Sequence, residues 1–232
     1  MKICILHIGH SDPNEKPKHP PSPVRFRQSL EPHLPNASWT VISAVTDSLP
    51  SPFAFDAYLI TGGKYSVFEN FPWQDNLFAF IRRLHAGKIP LIGICYGHQA
   101  IAHALGGEVA RSSKGWGVGL MPVDVIRDTE WAGKELDIWL HAMHQDQVTD
   151  LPVGAEVFLS SDFCPYSGFT IGDHFLAIQQ HPDFTPELNA DLINRRKERM
   201  GLAASTGLAS LQGRDDTPKS VDWMAGFLKR AC

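Results

Sequence analysis

Short apolar runs alternate with helix-like stretches along the first half of the chain, and this alternation constrains the fold more than any other feature. Apolar runs bounded by turn residues are typical of strands buried on both faces of a parallel sheet. They cover residues 3–8, 39–44, 57–60 and 90–94. Helical spacing of apolar residues follows at 74–87 and 96–105, where Gly106 and Gly107 supply a stop signal. The pattern predicts an α/β protein with a parallel sheet.

From residue 117 to residue 178 the pattern changes to strand-like runs separated by Gly, Pro and Asp. These runs cover 118–125, 155–160, 169–171 and 175–179. Strands that follow one another in this way predict a small antiparallel extension of the sheet. The 232 residues fit one large domain, so we expect a single domain over residues 1–232.

Composition excludes several classes of protein. Apolar residues make up 43% and charged residues 20%, which is typical of a folded chain and not of a disordered one. The net charge is -4 and the basic residues are mostly dispersed, so no nucleic-acid partner is predicted. No apolar run approaches the ~20 residues that span a bilayer, and no signal-peptide pattern opens the chain, so we expect a cytoplasmic protein without a membrane partner. The 4 cysteines are widely spaced and form no C-x-x-C pair, so we predict neither a disulfide framework nor a thiolate zinc site. We expect no metal or other cofactor.

The strand at 90–94 runs into the string Gly93-Ile-Cys95-Tyr-Gly97 and then into a helix. A nucleophile elbow has this layout, because its sharp turn leaves no room for side chains at Gly93 and Gly97. Cys95 would then lie at the carboxyl edge of the sheet and at a helix N-terminus, whose partial positive charge favours a thiolate. A buried cysteine that acts only as a small apolar residue is the alternative, and we assign that role to Cys4.

A thiolate nucleophile needs a base, and His181 follows the strand-like run at 175–179 within Gln-His-Pro-Asp. Residues at i and i+2 of an extended segment project to the same side. Asp183 can therefore accept a hydrogen bond from one ring nitrogen of His181 while the other nitrogen faces the thiol. This arrangement has the nucleophile, base and orienting acid of a catalytic triad.

A tetrahedral intermediate also needs hydrogen-bond donors for its oxyanion. The turn Thr61-Gly62-Gly63-Lys64 follows the strand at 57–60 and can expose backbone N–H groups at the same edge as the elbow. We expect the N–H groups of Gly63 and Tyr96 to form the oxyanion hole.

These pieces, in this order, resemble the class I (triad-type) glutamine amidotransferase family over about residues 3–184. The string at 93–99 is similar to that family's nucleophile signature. The stretches that resemble the glutaminase domain of GMP synthase and its free-standing relatives cover 144–148, 151–155 and 160–165, and a further family match lies at 115–119. The resemblance implies a flavodoxin-like, doubly wound, mostly parallel sheet with helices on both faces. It also implies hydrolysis of a γ-glutamyl amide, such as glutamine, to glutamate and ammonia.

The family's roles carry over to individual positions. By resemblance, Cys95 would form a thioester with the substrate, His181 would act as general base and then acid, and Asp183 would orient His181. The resemblance also implies a set of substrate-binding residues, in which the turn from Met143 to Asp146 offers main-chain contacts. This set comprises Gly62, Gln99, Met143, His144 and Asp146.

Two positions depart from the family pattern. The family usually has Glu where this chain has Asp183, and Gly where it has Gln145. Asp is one methylene shorter, so the triad must close by a small backbone shift or with a weaker orienting bond. Glu187 is another carboxylate on which His181 could lean.

Other interpretations of the same residues remain open. An α/β-hydrolase with a cysteine nucleophile could use Cys95, Asp162 and His181 in that chain order. A binding module that retains the fold without activity would be expected to lose the cysteine or the histidine, and this chain has both. A metal site could be built from His141 and His144 with Asp146 if H-x-x-H lay on one helix face, although a polar turn is the simpler interpretation.

The substrate and the fate of ammonia are also open. The sequence contains no P-loop of the G-x-x-x-x-G-K-[ST] type, and we expect no second, acceptor-activating domain within its 232 residues. Either ammonia passes to a separate synthetase subunit, or the chain is a free-standing hydrolase of γ-glutamyl compounds. The Pro-rich segment at 11–23 is expected to be either a lid over the active site or an inert surface loop.

Overall fold

The computed structural model of the protein describes residues 1–9, 18–133 and 135–232. Its strands are β1 (Lys2–His7), β2 (Ser38–Ser43), β3 (Ala57–Ile60), β4 (Leu91–Ile94), β5 (Glu108–Arg111), β6 (Gly117–Val125), β7 (Ile138–His144), β8 (Asp146–Asp150), β9 (Ala155–Ser160), β10 (Gly168–Ile171) and β11 (Phe175–Ile178). Its helices are α1 (Ser22–Leu30), α2 (Pro72–Ala86), α3 (Tyr96–Ala104), α4 (Pro186–Met200), α5 (Leu202–Ser210) and α6 (Thr217–Ala231).

The described strands form a nine-stranded sheet in the order β2-β1-β3-β4-β11-β10-β9-β6-β7 and a separate pair, β5-β8. Strands β2, β1, β3, β4 and β11 run parallel to one another. From β11 onward each neighbouring pair is antiparallel. The predicted parallel α/β sheet with an antiparallel extension is confirmed.

Helices cover both faces of the sheet, as a doubly wound fold requires. On one face, α1 and α6 bury Phe26 and Phe227 against β1 residues such as Ile3. On the other face, α2 and α3 bury residues such as Leu77 and Ile101. The apolar runs of the central strands are buried on both sides because each face of the sheet meets a helix layer.

The strand register brings three loops to one edge of the sheet. Ile60 at the end of β3 pairs with Gly93 of β4, and Ile94 pairs with Ile178 of β11. Because β3, β4 and β11 are parallel, the residues that follow them emerge together at their carboxyl ends, where ligands bind in open α/β sheets. These residues include the glycine turn, Cys95 and His181.

Part of the Pro-rich segment belongs to ordered structure. Its residues 11–17 lie outside the described residues, but α1 begins at Ser22, inside the predicted loop. Before it, Lys18 and His19 contact the Asp191 carboxylate on α4 at 2.8 and 2.7 Å. The described end of the segment is thus joined to α4.

Within the described residues, no helix combines the length and the apolar character needed to cross a bilayer.

Candidate active site

Cys95 lies on the sharp turn between β4 and α3, at the N-cap of the helix. Its backbone has φ 52° and ψ -99°, a conformation that residues other than glycine rarely adopt. A Cβ on Gly93 would lie 2.5 Å from the Gly97 carbonyl oxygen, and one on Gly97 would lie 2.5 Å from that of Ile60. Both glycines are therefore required for the close approach of backbone around Cys95.

His181 lies beside Cys95, and Asp183 lies on its other side. Cys95 interacts electrostatically with the His181 ring, whose Nδ1 is 3.2 Å from Oδ1 of Asp183. Phe184 stacks on the imidazole with ring centroids 3.9 Å apart, which fixes the plane of the ring. The structure therefore brings the three predicted triad residues together in the expected order, and the shorter Asp reaches the imidazole.

The charged groups around His181 favour its protonated form. Burial alone would lower the pKa of His181, but the Cys95 thiolate and the Asp183 carboxylate outweigh burial and raise it to about 9. Burial would raise the pKa of Asp183, but the hydrogen bond with His181 and the charge of Arg25 outweigh it and lower this pKa. At neutral pH His181 is therefore protonated, and its imidazolium lies between Cys95 and the Asp183 carboxylate.

The other buried cysteines have no such environment. Burial raises the pKa of Cys4 to about 12 and that of Cys164 to about 11. Both thiols are protonated at neutral pH and are poor nucleophiles.

The two proposed oxyanion donors line the cavity that contains Cys95. Tyr96 is the first residue of α3, so its N–H has no acceptor within the helix. A Cβ on Gly63 would lie 2.3 Å from the Ile8 side chain, and one on Gly62 would lie 2.6 Å from Cε1 of His181. The double glycine is required because the turn passes close to both β1 and the imidazole.

The predicted substrate-binding residues divide between two adjoining cavities. The first, of about 180 Å³, contains Cys95, and its wall includes Gln99, Met143, His144 and Asp146. The second, of about 210 Å³, contains His181, and its wall includes Gly62 and again Met143.

The Gln99 side chain stabilises this wall by a hydrogen bond to the main chain of Asp146. Its Nε2 donates to the carbonyl oxygen of Asp146 at 2.8 Å and to Oε1 of Gln179 at 3.0 Å. Burial lowers the pKa of the neighbouring His144 to about 4, so that ring is neutral at pH 7. Gln99 thus anchors the start of β8 against α3.

The predicted turn from Met143 to Asp146 is shorter than expected. Strand β7 extends to His144 and β8 begins at Asp146, so only Gln145 lies between them. Gln145 is absent from the residues with positive φ, so its backbone does not require the glycine that the family usually has there.

Arg25 and Ser22 complete the surroundings of Asp183, and sequence reasoning missed both. Arg25 donates from Nη2 to Oδ2 of Asp183 at 2.6 Å, and from Nε to its carbonyl oxygen at 3.0 Å. Ser22 donates to the same Oδ2 at 3.0 Å. The only sequence signal is a basic residue in an amphipathic helix, because these partners are about 160 residues apart along the chain.

Neither of the alternative carboxylates is paired with His181. Asp162 is exposed in the loop after β9, and its carbonyl oxygen accepts from Lys114. Glu187 is exposed in the first turn of α4. Asp183 is the carboxylate that contacts the imidazole.

The metal-site alternative assumed that His141 and His144 share one helix face, and this assumption is wrong. Both lie on strand β7, where residues at i and i+3 project to opposite faces. His141 contacts Asn189 and Asp215 at 3.0 and 3.3 Å, whereas His144 lies 3.3 Å from the Asp146 carbonyl oxygen. Among residues 1–9, 18–133 and 135–232, no group of three or more His, Cys, Asp or Glu could hold a metal ion.

Comparison with known proteins places this geometry in a family. The profile described as glutamine amidotransferase class-I matches residues 36–197. The chain is 33% identical over 148 residues to gamma-glutamyl peptidase 3 of Arabidopsis thaliana, covering 61% of this chain and 59% of that protein. It is 35% identical over 132 residues to the glutamine-hydrolyzing GMP synthase of Aquifex aeolicus, covering 55% of this chain and 24% of the synthase. These alignments thus span less than two thirds of each relative.

A solved structure described as a glutamine amido transferase from Methylobacillus flagellatus superposes with a TM-score of 0.77. It is 22% identical, and the match covers 98% of this chain and 92% of the other. The predicted flavodoxin-like fold agrees with this neighbour. Because the family profile matches more than half of its residues, the chain belongs to the class I glutamine amidotransferase family.

Proposed function

We propose that the protein is a cysteine hydrolase that cleaves γ-glutamyl amide bonds through a thioester on Cys95. The observation that carries this proposal is the contact of Cys95, on a strained elbow, with the buried His181–Asp183 pair. The family to which the chain belongs supports the substrate class, because its name describes proteins that act on glutamine.

In the first half of the reaction, the thiolate of Cys95 attacks the γ-carbonyl carbon and a C–S bond forms. The carbonyl oxygen becomes an oxyanion that accepts hydrogen bonds from the N–H groups of Gly63 and Tyr96. The imidazolium of His181 donates its proton to the amide nitrogen, the C–N bond breaks, and the amine leaves.

In the second half, water attacks the thioester carbon and His181, now neutral, takes a proton from that water. The tetrahedral intermediate collapses, the C–S bond breaks, and glutamate leaves with the thiolate and imidazolium restored. Asp183 stabilises the imidazolium and keeps the Nδ1 proton on its own side of the ring, so that the other nitrogen faces the reaction.

The wall of the first cavity suits the amino-acid end of a glutamyl group. It presents the carboxylates of Glu69 and Asp146 and the guanidinium of Arg111. Asp146 is itself held by Ser66 and lies 3.4 Å from Nε of Arg111. Carboxylates attract an α-ammonium and a guanidinium attracts an α-carboxylate, so both charges of the substrate find a partner here.

Two fates of the leaving group remain candidates. The likeness to a GMP synthase favours release of ammonia to a separate synthetase subunit. The likeness to a gamma-glutamyl peptidase favours release of an amino acid or peptide. The second cavity supports the latter, because its volume of about 210 Å³ lies beside His181, where the departing nitrogen would be.

The test is to measure glutamate release from glutamine and from a panel of γ-glutamyl amides and peptides. We expect the parent protein to release glutamate from at least one of these and the Cys95→Ala variant to release almost none. Cys164→Ala is the matched control, because it removes a buried thiol outside the site. Equal glutamate release by the parent and Cys95→Ala would refute the proposed function.

A further inference from the structure

The cavity that contains Cys95 and the cavity that contains His181 share two cationic residues, Lys64 and Arg196. Lys64 follows the glycine turn after β3, and Arg196 lies on α4. Each therefore stands where the two cavities meet, close to the bond that the proposed reaction would break.

Neither cation is neutralised by the part of the chain that the structure describes. No carboxylate of a described residue is paired with Lys64, whose Nζ lies 5.6 Å from the centroid of the Tyr65 ring. The Nη1 of Arg196 is buried and has no hydrogen-bond partner there. Burial and the like charges of Arg199 and Arg195 lower the pKa of Arg196, so an anion at this point would relieve an unfavourable environment.

The other charged groups near the second cavity are already engaged. Arg25 is committed to Asp183 by its ion pair at 2.6 Å. Glu69 and Asp146 line the first cavity and not the second, and the proposed reaction assigns them to the α-ammonium of the glutamyl group. The charges left for a ligand at the junction are positive.

The proposed chemistry decides which part of the substrate reaches these cations. His181 donates its proton to the departing nitrogen, so that nitrogen must face His181 and the second cavity. The rest of the second cavity offers the apolar side chains of Met143, Leu188 and Leu192. A leaving group seated there meets cations at the junction and an apolar wall beyond.

We propose that this cavity is a leaving-group subsite for an amino acid with a free carboxylate and an apolar side chain, in which Arg196 and Lys64 bind the carboxylate. The inference rests on the proposed function and names its substrate class: γ-glutamyl derivatives of apolar amino acids. A guanidinium with an unused, buried N–H binds a carboxylate through strong charge-assisted hydrogen bonds.

The test compares γ-glutamyl-leucine with γ-glutamyl-leucinamide, which has the same side chain but no carboxylate. The parent protein should show a ~10- to 100-fold higher kcat/KM for γ-glutamyl-leucine, the ratio that one charge-assisted hydrogen bond supplies. Arg196→Met should bring this ratio close to one, and Lys64→Met should reduce it in part. γ-Glutamyl-glycine should be ~10-fold poorer than γ-glutamyl-leucine, because it leaves the apolar wall uncovered.

Arg195→Met is the matched control, because Arg195 is the exposed neighbour on the same helix and lines neither cavity. It should keep the full preference for the carboxylate. A parent protein that hydrolyses both compounds equally well, or an Arg196→Met variant that keeps the preference, would overturn the subsite and leave the hydrolase proposal standing.

Binding to Cys95→Ala separates the two proposals further. Calorimetry should show tighter binding of γ-glutamyl-leucine than of its amide by this unreactive variant. Discrimination in binding without turnover by the parent would support the subsite and count against the proposed reaction. No discrimination in binding or turnover would overturn the subsite.

Discussion

The Arg25–Asp183 ion pair offers a test of how the fold holds the proposed triad. Asp183 has a side chain that is 1% exposed, and that of Arg25 is 16% exposed. Arg25→Met keeps the approximate length and apolar stem of the side chain but leaves the carboxylate with only Ser22 and His181 as donors.

The structure sets the expected loss of stability. Removing one partner of a buried ion pair costs ~3–5 kcal/mol because the other charge stays buried without it. Ser22 and His181 continue to hydrogen-bond Asp183, so we expect the lower end of this range, about 3 kcal/mol. Arg25→Lys should lose less, because it keeps the charge but not the planar fork that reaches both the carboxylate and the carbonyl oxygen.

Urea unfolding at neutral pH, followed by tryptophan fluorescence, measures this loss. Arg27→Met is the matched control on the same helix; its side chain is 55% exposed and its pair with Glu31 should contribute less than ~1 kcal/mol. Combining Arg25→Met with Asp183→Asn should cost clearly less than the sum of the single changes.

The difference in free energy of unfolding between the parent and Arg25→Met should also become smaller in acid. The folded pKa of Asp183 lies below its usual value, so the pair's contribution is complete above the usual carboxyl range and is lost as the pH falls through the folded pKa. If Arg25→Met unfolds within ~0.5 kcal/mol of the parent, as an ordinary surface change would, the pair does not hold Asp183 in place.

Four further predictions concern catalysis. Cys95→Ala should lower turnover ~10³-fold or more because the covalent route is lost, whereas Cys164→Ala should keep most of the turnover. Steady-state kinetics compare the two variants, and a similar loss in both would contradict the assignment of Cys95 as the nucleophile. The kcat/KM of the parent should fall at alkaline pH with an apparent pKa near about 9, where the imidazolium of His181 loses its proton. Asp183→Asn should move this fall to lower pH and cut turnover ~10²-fold or more, and an unchanged profile would remove Asp183 from the triad. Gly62→Ala should cut turnover with little change in melting temperature, because the added Cβ would lie 2.6 Å from Cε1 of His181 and would push the imidazole out of place. Full activity would show that the turn can shift to make room.

The strands and helices that carry the elbow could be predicted because their signals are local. The run at 90–94 is apolar throughout, and β4 is observed at Leu91–Ile94 with α3 starting at Tyr96. The position of the site at one edge of the sheet could be predicted because parallel strands have their carboxyl ends on the same side. Cys95, His181 and Asp183 could be placed together for that reason.

Elements with mixed patterns were missed. Strand β7 carries His141 and His144 among its apolar residues, and the structure buries both. Helix α4 is strongly charged, and only Leu188, Asn189, Ile193 and Met200 of its residues are buried. Its role as the wall that carries Arg196 depends on packing against β6 and β7, which no local pattern reveals.

Interactions between residues far apart along the chain could not be predicted from the sequence either. Arg25 lies in a short helix that follows a run of prolines, and nothing near it indicates a buried carboxylate partner. The pair forms because α1 lies beside the loop after β11 once the sheet is assembled. The same holds for Lys64 and Arg196, which line the same two cavities although they lie far apart along the chain.

Covalent labelling tests the central claim, that Cys95 attacks a γ-glutamyl carbonyl, most directly. The protein is treated with a glutamine-like electrophile, with and without excess γ-glutamyl substrate, and the labelled peptides are identified by mass spectrometry. We predict one label on Cys95, slowed by the substrate and absent from Cys95→Ala. A label mainly on Cys4, Cys164 or Cys232, or labelling of Cys95 that the substrate does not slow, would contradict the account.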